Sequence, residues 1–316
     1  MKVTCIALLL AAASMASAQS YPSKPVRIVV PLAPGGSADV DARLVADRLS
    51  QALGQQFIVE HRPGAGGAIG VGMVAKAPPD GYTIGVGPQG TMVIAPGLMK
   101  LPFDPLKDLA PLSGMVRSTF LFLTHPNGPF KTVQELIAYA KSNPVSFGTP
   151  NIGSGQHLAG ELFNSLTGVR MVHVPYKGSG PAAIDVMGGQ IPLAIVGPAG
   201  ISGLIKAGKL KVIALSDSQP VAAFPEVPSV AKAGVAGFDA TGWLALFGPA
   251  ALPKDIVARL NAEIVRALNT AEVRDKIVAG GEDPHPTTPE DLRRFVVAET
   301  EKWGSVIRNA GLKLAE

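Results

Sequence analysis

A short apolar run, a glycine-rich turn and a helix-spaced apolar stripe follow one another several times along this chain. That recurring unit constrains the fold more than any other feature. Its clearest copy runs from Val145-Ser146-Phe147 through Gly148-Thr149-Pro150-Asn151-Ile152-Gly153-Ser154-Gly155-Gln156-His157 to Leu158, Leu162, Phe163 and Leu166. The last four positions recur at helical spacing, so the stretch reads as strand, turn and helix. A turn of this kind leaves several backbone N–H groups unpaired at the positive end of a helix. Ser154 stands where an N-cap would sit. Such a helix start suits a carboxylate or a phosphate. A capped helix with nothing bound is the plainer reading of any single copy; repetition favours the anion site.

The other copies follow the same order. Val26 to Val30 leads into Ala33-Pro34-Gly35-Gly36-Ser37 and a helix with Val40, Leu44, Val45, Leu49 and Leu53 on one face, where Ser37 or Asp39 could cap. Phe57 to Glu60 feeds the run Arg62 to Gly70. Tyr82-Thr83-Ile84 feeds a loop in which Gln89 and Thr91 offer an amide and a hydroxyl. Met171 to Val174 feeds Tyr176-Lys177-Gly178-Ser179, and Ile191 to Val196 ends at Gly197-Pro198-Ala199-Gly200. Strands alternating with helices predict an α/β fold with largely parallel sheets. Ligands of such sheets bind beyond the carboxyl ends of the strands, where these turns lie. Leu112 to Thr124 and Thr241 to Phe247 read as strands that could cross between two lobes. Helices close the chain, one striped by Ile256, Leu260, Ile264 and Leu268, the next by Leu292, Phe295, Val296 and Trp303.

Composition narrows the classes. With 316 residues the chain is long enough for two lobes, each with its own core. Met1-Lys2, the apolar run Ile6 to Ala13 and Ala16-Ser17-Ala18 read as a secretory signal peptide over residues 1–18. That run is too short for a membrane span, and no later segment approaches one. Cys5, the only cysteine, falls inside it, so the mature chain holds no disulfide and no thiol nucleophile. Against 24 acidic residues stand 28 Lys and Arg in no block, which leaves no footprint for nucleic acid.

No catalytic or dinucleotide motif is complete in the sequence. In Gly64-Ala65-Gly66-Gly67-Ala68-Ile69 the dinucleotide spacing fails at Ile69. Gly85-Val86-Gly87-Pro88-Gln89-Gly90 satisfies it formally, but Pro88 removes a donor and no acidic residue stands about 20 positions on. No two histidines stand at metal-ligand spacing, so neither cofactor nor metal is expected. Ser154 and His157 invite an exported serine hydrolase, yet the G-x-S-x-G pattern is absent and no third orienting carboxylate can be named. The expected protein is not an enzyme.

The ordered series Tyr21 to Pro31 with Ala33-Pro34-Gly35-Gly36, Arg62-Pro63-Gly64-Ala65-Gly66-Gly67, Pro79-Asp80-Gly81-Tyr82-Thr83, Phe103 to Asp108, His157-Leu158-Ala159-Gly160-Glu161, Val174-Pro175-Tyr176-Lys177-Gly178 and Phe224 to Ser229 resembles the Bug receptors. These are the periplasmic solute-binding proteins of tripartite tricarboxylate transporters. The resemblance spans essentially the whole mature chain. It implies a two-lobe, periplasmic-binding-protein-like fold of type II, with a ligand cleft between lobes and two interlobe crossovers. Lobe 1 would take residues 19–123 and 240–316, and lobe 2 residues 124–239. A small carboxylate, a dicarboxylate or an aromatic acid, would be clamped by loops carrying Ala33, Gly35, Gly36, Ser37, Gln89, Thr91, Asn151, Gly153, Ser154, Gly155, His157, Tyr176, Ser179, Pro198 and Ala199. The implied partners are integral membrane transporter subunits, the implied compartment the periplasm and the expected state a monomer. A sensor reporting the solute to a signalling partner would present the same site.

Overall fold

The computed structural model describes residues 21–312 apart from 36, 151, 177, 199, 200, 220 and 222. The expected signal peptide lies outside the described residues, as do Gly36, Asn151 and Ala199. The chain first builds β1 (Val26–Val30), α1 (Ser37–Leu53), β2 (Phe57–His61), α2 (Ala68–Ala75), β3 (Thr83–Pro88), the short α3 (Ala95–Leu98) and β4 (Leu109–Ser118). It then passes through β5 (Leu121–Thr124), α4 (Val133–Ser142), β6 (Ser146–Thr149), α5 (Gly155–Thr167), β7 (Val172–Pro175), α6 (Ser179–Met187), β8 (Leu193–Val196), α7 (Ser202–Lys206) and β9 (Lys211–Leu215). It returns with β10 (Gly242–Pro249), α8 (Lys254–Leu268), α9 (Ala271–Ala279), β11 (Glu282–Pro284) and α10 (Pro289–Asn309).

Two sheets result. One has the order β11-β4-β10-β3-β1-β2 and the other β7-β6-β8-β5-β9. The chain changes sheet twice, between β4 and β5 and again before β10, which makes a two-lobe α/β protein with two crossovers. The sheets are not largely parallel as the alternation predicted. In the first, β1 runs parallel to β2 and β3, while β10 is antiparallel to both β3 and β4, and β11 to β4. In the second, β6 is parallel to β7 and β8, while β5 is antiparallel to β8 and β9. The reason is geometric. A strand that feeds a turn ends at the cleft, whereas a strand entering from the other lobe begins there, so β5 and β10 must run backwards.

Burial follows the stripes. Val45 and Leu49 of α1, Leu260, Ile264 and Leu268 of α8 and the strands β1 and β3 close one core of lobe 1. A second core continues from lobe 1 into lobe 2, joining Met92, Trp243, Trp303 and Ile307 to Phe122, Phe147, Phe163 and Phe238. The lobes therefore share apolar packing on the hinge side and face each other across a cleft on the other. No helix among the described residues is long and apolar enough to cross a membrane.

Candidate functional site

Lobe 2 contributes the turn that leaves β6. Ser154 caps α5, its hydroxyl accepting the His157 N–H at 3.1 Å. Gly153 has φ +74°, a conformation that a side chain disfavours, and its N–H donates to His157 Nδ1 at 3.0 Å. An accepting nitrogen carries no proton there. The His157 ring is buried and stacks on His173 with centroids 3.7 Å apart, and His173 Nε2 lies 2.6 Å from Thr149 Oγ1. Burial, followed by the neighbouring His157, brings His173 down to about 4, so at neutral pH its ring is uncharged. Two rings thus brace the turn from behind. The first backbone bond of α5 runs from Leu158 N–H to Ser154 O. Gly155 and Gln156, in the same first turn, line the cleft, and their N–H groups have no acceptor within the helix, at its positive end.

The next unit repeats the device. Gly178, at φ +124°, precedes α6, and Ser179 opens the helix on the cleft wall. Pro198, after β8, lines the cleft as well. Tyr176 is turned away: its hydroxyl donates to Asp185 Oδ2 at 2.7 Å and its ring packs beside Gly148. Burial first, and then the Asp185 hydrogen bond, push this phenol up to about 12.

Lobe 1 supplies the opposing wall through Ser37, Gln89 and Thr91. Thr91 Oγ1 donates to Gly66 O at 2.7 Å and locks one loop to the next. Gly67, at φ +96°, lets them meet, since a Cβ there would stand 2.4 Å from Thr91 Oγ1. Gln89 Nε2 donates to the Thr241 carbonyl and, at 3.1 Å, to Glu299 Oε2. Ala33 and Gly35 sit in the exposed first turn, beside the cleft lining and not in it. There Asp39, within the first turn of α1, accepts the Gly35 N–H at 2.9 Å. That bond, and then Arg43, hold its carboxylate below the usual range.

Together these residues line a cleft of about 700 Å³ between the lobes. It brings together Ser37, Gln89, Thr91, Gly153, Ser154, Gly155, Ser179 and Pro198 of the expected set. His157 and Tyr176 stand behind the wall. A hollow of about 710 Å³ on lobe 1, lined by Asn261, His285 and Phe295 among others, is as large, but no glycine turn opens onto it. Sequence reasoning missed Ala65 and Gly66 on the lobe 1 wall, Ser118, Phe120, Gly242 and Trp243 at the crossovers, and Glu282. The Gly64 to Gly67 run carried a legible signal, a glycine turn between strand and helix. Ala65, at φ +47°, is the strained point of that loop. For Glu282 no local signal exists.

The sequence model of the tripartite tricarboxylate transporter family receptor matches residues 41–312. Protein BugT of Bordetella pertussis is 36% identical over 307 residues, covering 96% of this chain and 94% of its own length. Among solved structures, an R. palustris protein with adipate is 33% identical with a TM-score of 0.80, covering 93% of this chain and 100% of its own. MatC from Rhodopseudomonas palustris with bound malate is 32% identical with a TM-score of 0.76, covering 91% and 100%.

Proposed function

The chain belongs to the tripartite tricarboxylate transporter receptor family, and from that premise we propose that its cleft captures a small organic carboxylate for delivery to a membrane transporter. The observation that carries this reading is the start of α5, where Ser154 caps the helix and Gly155 and Gln156, whose N–H groups have no acceptor within the helix, line the cleft. An anion placed there gains charge-assisted hydrogen bonds and the favourable end of the helix, each such bond contributing on the order of 1.5–3 kcal/mol. Ser37 and Ser179 would add hydroxyls from the two walls, so a few contacts offset desolvation without a buried arginine. The relatives with adipate and malate are carboxylate-bound members of the same fold, which supports an acid of that size.

Capture would draw lobe 1, residues 19–123 with 240–316, towards lobe 2, residues 124–239, by hinge closure about the crossovers. The closed protein would then dock on the integral membrane subunits. The leader-like segment at residues 1–18 and the family together support a periplasmic protein. A receptor is preferred to a hydrolase because His157 Nδ1 is engaged by Gly153 and its ring by His173, which ties the imidazole to the turn.

The test is a thermal-shift screen of ligand-free mature protein against mono-, di- and tricarboxylates, aromatic acids included. A ligand that binds only the folded state adds about 2.7 kcal/mol at a hundredfold excess over its dissociation constant. A selective rise in Tm with one acid is expected, and no rise with any acid would overturn carboxylate capture.

A further inference from the structure

The cleft of this carboxylate receptor has a carboxylate in its own wall. Glu282 opens β11, an edge strand whose register places it opposite Ser118 of β4. Both residues line the cleft, and the Ser118 hydroxyl donates to Glu282 Oε1. Behind them Asp41 projects from α1, one turn after Ser37 on the same helix face. Asp41 is 3% exposed and Glu282 8%. Two carboxylates cannot donate to each other, and as an ion Asp41 would leave Oδ2 buried without a partner. A proton on Asp41 resolves this, since the acid then donates to Glu282. Burial, with the Glu282 charge added, pushes Asp41 up to about 9, in agreement with that assignment.

Among the described residues no cation neutralises the pair. Arg117, on the neighbouring register position, turns to Asp217 at 3.5 Å, and Arg43 turns to Asp39 at 2.7 Å. One proton shared by two carboxyls leaves one negative charge, and that charge faces the ligand space. It sits on lobe 1, whereas the braced anion turn belongs to lobe 2. A ligand held by its carboxylate at α5 would present its other end to a wall that repels a second anion and accepts hydrogen bonds.

We propose that Glu282, held by Ser118 and Asp41, determines specificity by accepting a hydrogen bond from a donor group on the ligand, a hydroxyl or an ammonium, and by disfavouring a second carboxylate at that wall. The inference rests on carboxylate capture in this cleft and narrows it from acids in general to donor-bearing acids.

Calorimetric titration of unfolded and refolded, ligand-stripped protein at neutral pH with succinate, malate and aspartate, which differ by a hydrogen, a hydroxyl and an ammonium, tests this. The wild-type protein should bind malate or aspartate about tenfold or more tightly than succinate, the worth of one charge-assisted bond. Which of the two it prefers identifies the donor. Glu282→Gln should collapse that ratio and leave succinate bound as well as before or better. Should that variant fail to refold, Glu282→Asp, which keeps the charge and withdraws it by one methylene, should lower the ratio in the same direction. Equal affinities for all three acids in the wild type, or a ratio unchanged in the variant, would overturn the proposal. Binding of none of the three, with acids that lack a hydroxyl or an ammonium raising Tm, would overturn it while leaving capture intact; binding of no acid at all would remove both.

Discussion

At the scale of single residues the site is built from groups with two duties. Ser154 both caps α5 and faces the cleft. Ser154→Ala should lower stability by about 1 kcal/mol, the worth of an N-cap, and weaken carboxylate binding about tenfold if one ligand bond is lost. Lower stability with unchanged affinity would reduce Ser154 to a cap. Asp41 has a cost visible in solution. An acid raised to about 9 keeps its proton in the folded state while the unfolded chain, near 3.8, has released it. Stability therefore falls as pH climbs between those values. His173 and His285, both lowered to about 4 chiefly by burial, act on the other side. Their contribution is full above the unfolded value of 6.5 and is lost as pH falls towards 4. From pH 7 to 9 the two histidines therefore drop out, and of the buried carboxyls that burial raises, Asp41 with Asp217 and Asp283, the Asp41→Asn variant singles out the first. Tm should decline across that interval, and Asp41→Asn should raise Tm and flatten the decline. Identical profiles for the two proteins would mean that Asp41 is not protonated in the fold.

At the scale of elements, α10 holds the lobe 1 wall to the crossover. Glu299 Oε2 accepts from Trp303 Nε1 at 2.9 Å, from Trp243 Nε1 at 3.1 Å and from Gln89 Nε2, and Lys302 pairs with the other oxygen. The carboxylate is buried, so removing it strands two indole N–H groups and takes from Gln89 one of its two acceptors, the Thr241 carbonyl remaining. Each orphaned group costs about 1–3 kcal/mol. Glu299→Ala should cost at least about 2 kcal/mol in urea unfolding and weaken binding, because Gln89 is then held by the Thr241 carbonyl alone. A loss below about 1 kcal/mol would show that water replaces the carboxylate. The element boundaries were largely legible: β1 matches its apolar run Val26 to Val30 residue for residue, and Ser154 caps where a serine before a helical stripe should. Strand direction was not. β5 and β10 carry the same apolar patterns as their neighbours and run the other way, because direction depends on which side of the cleft a strand starts from.

For the molecule as a whole, the shared apolar core on the hinge side and the cleft opposite define how the lobes can move. The contact of α10 with the hinge, and the apolar continuity from Trp303 to Phe122, favour rigid lobes turning about the crossovers over internal rearrangement, since packed cores resist continuous deformation. An acid that raises Tm should also reduce the radius of gyration in small-angle scattering. A thermal shift with unchanged scattering would mean that the unliganded cleft is already closed. By itself the sequence determined what short-range physics controls: the period of each stripe, the turns that only glycine allows, and the capped helix start at Ser154. Tertiary structure alone decided which turns share a cleft, that His157 and Tyr176 stand behind its wall, and that Asp41 meets Glu282 across 241 positions of chain. Such meetings depend on sheet register and helix docking, and the free energy that selects them is spread over the whole core, so no local pattern of residues records it.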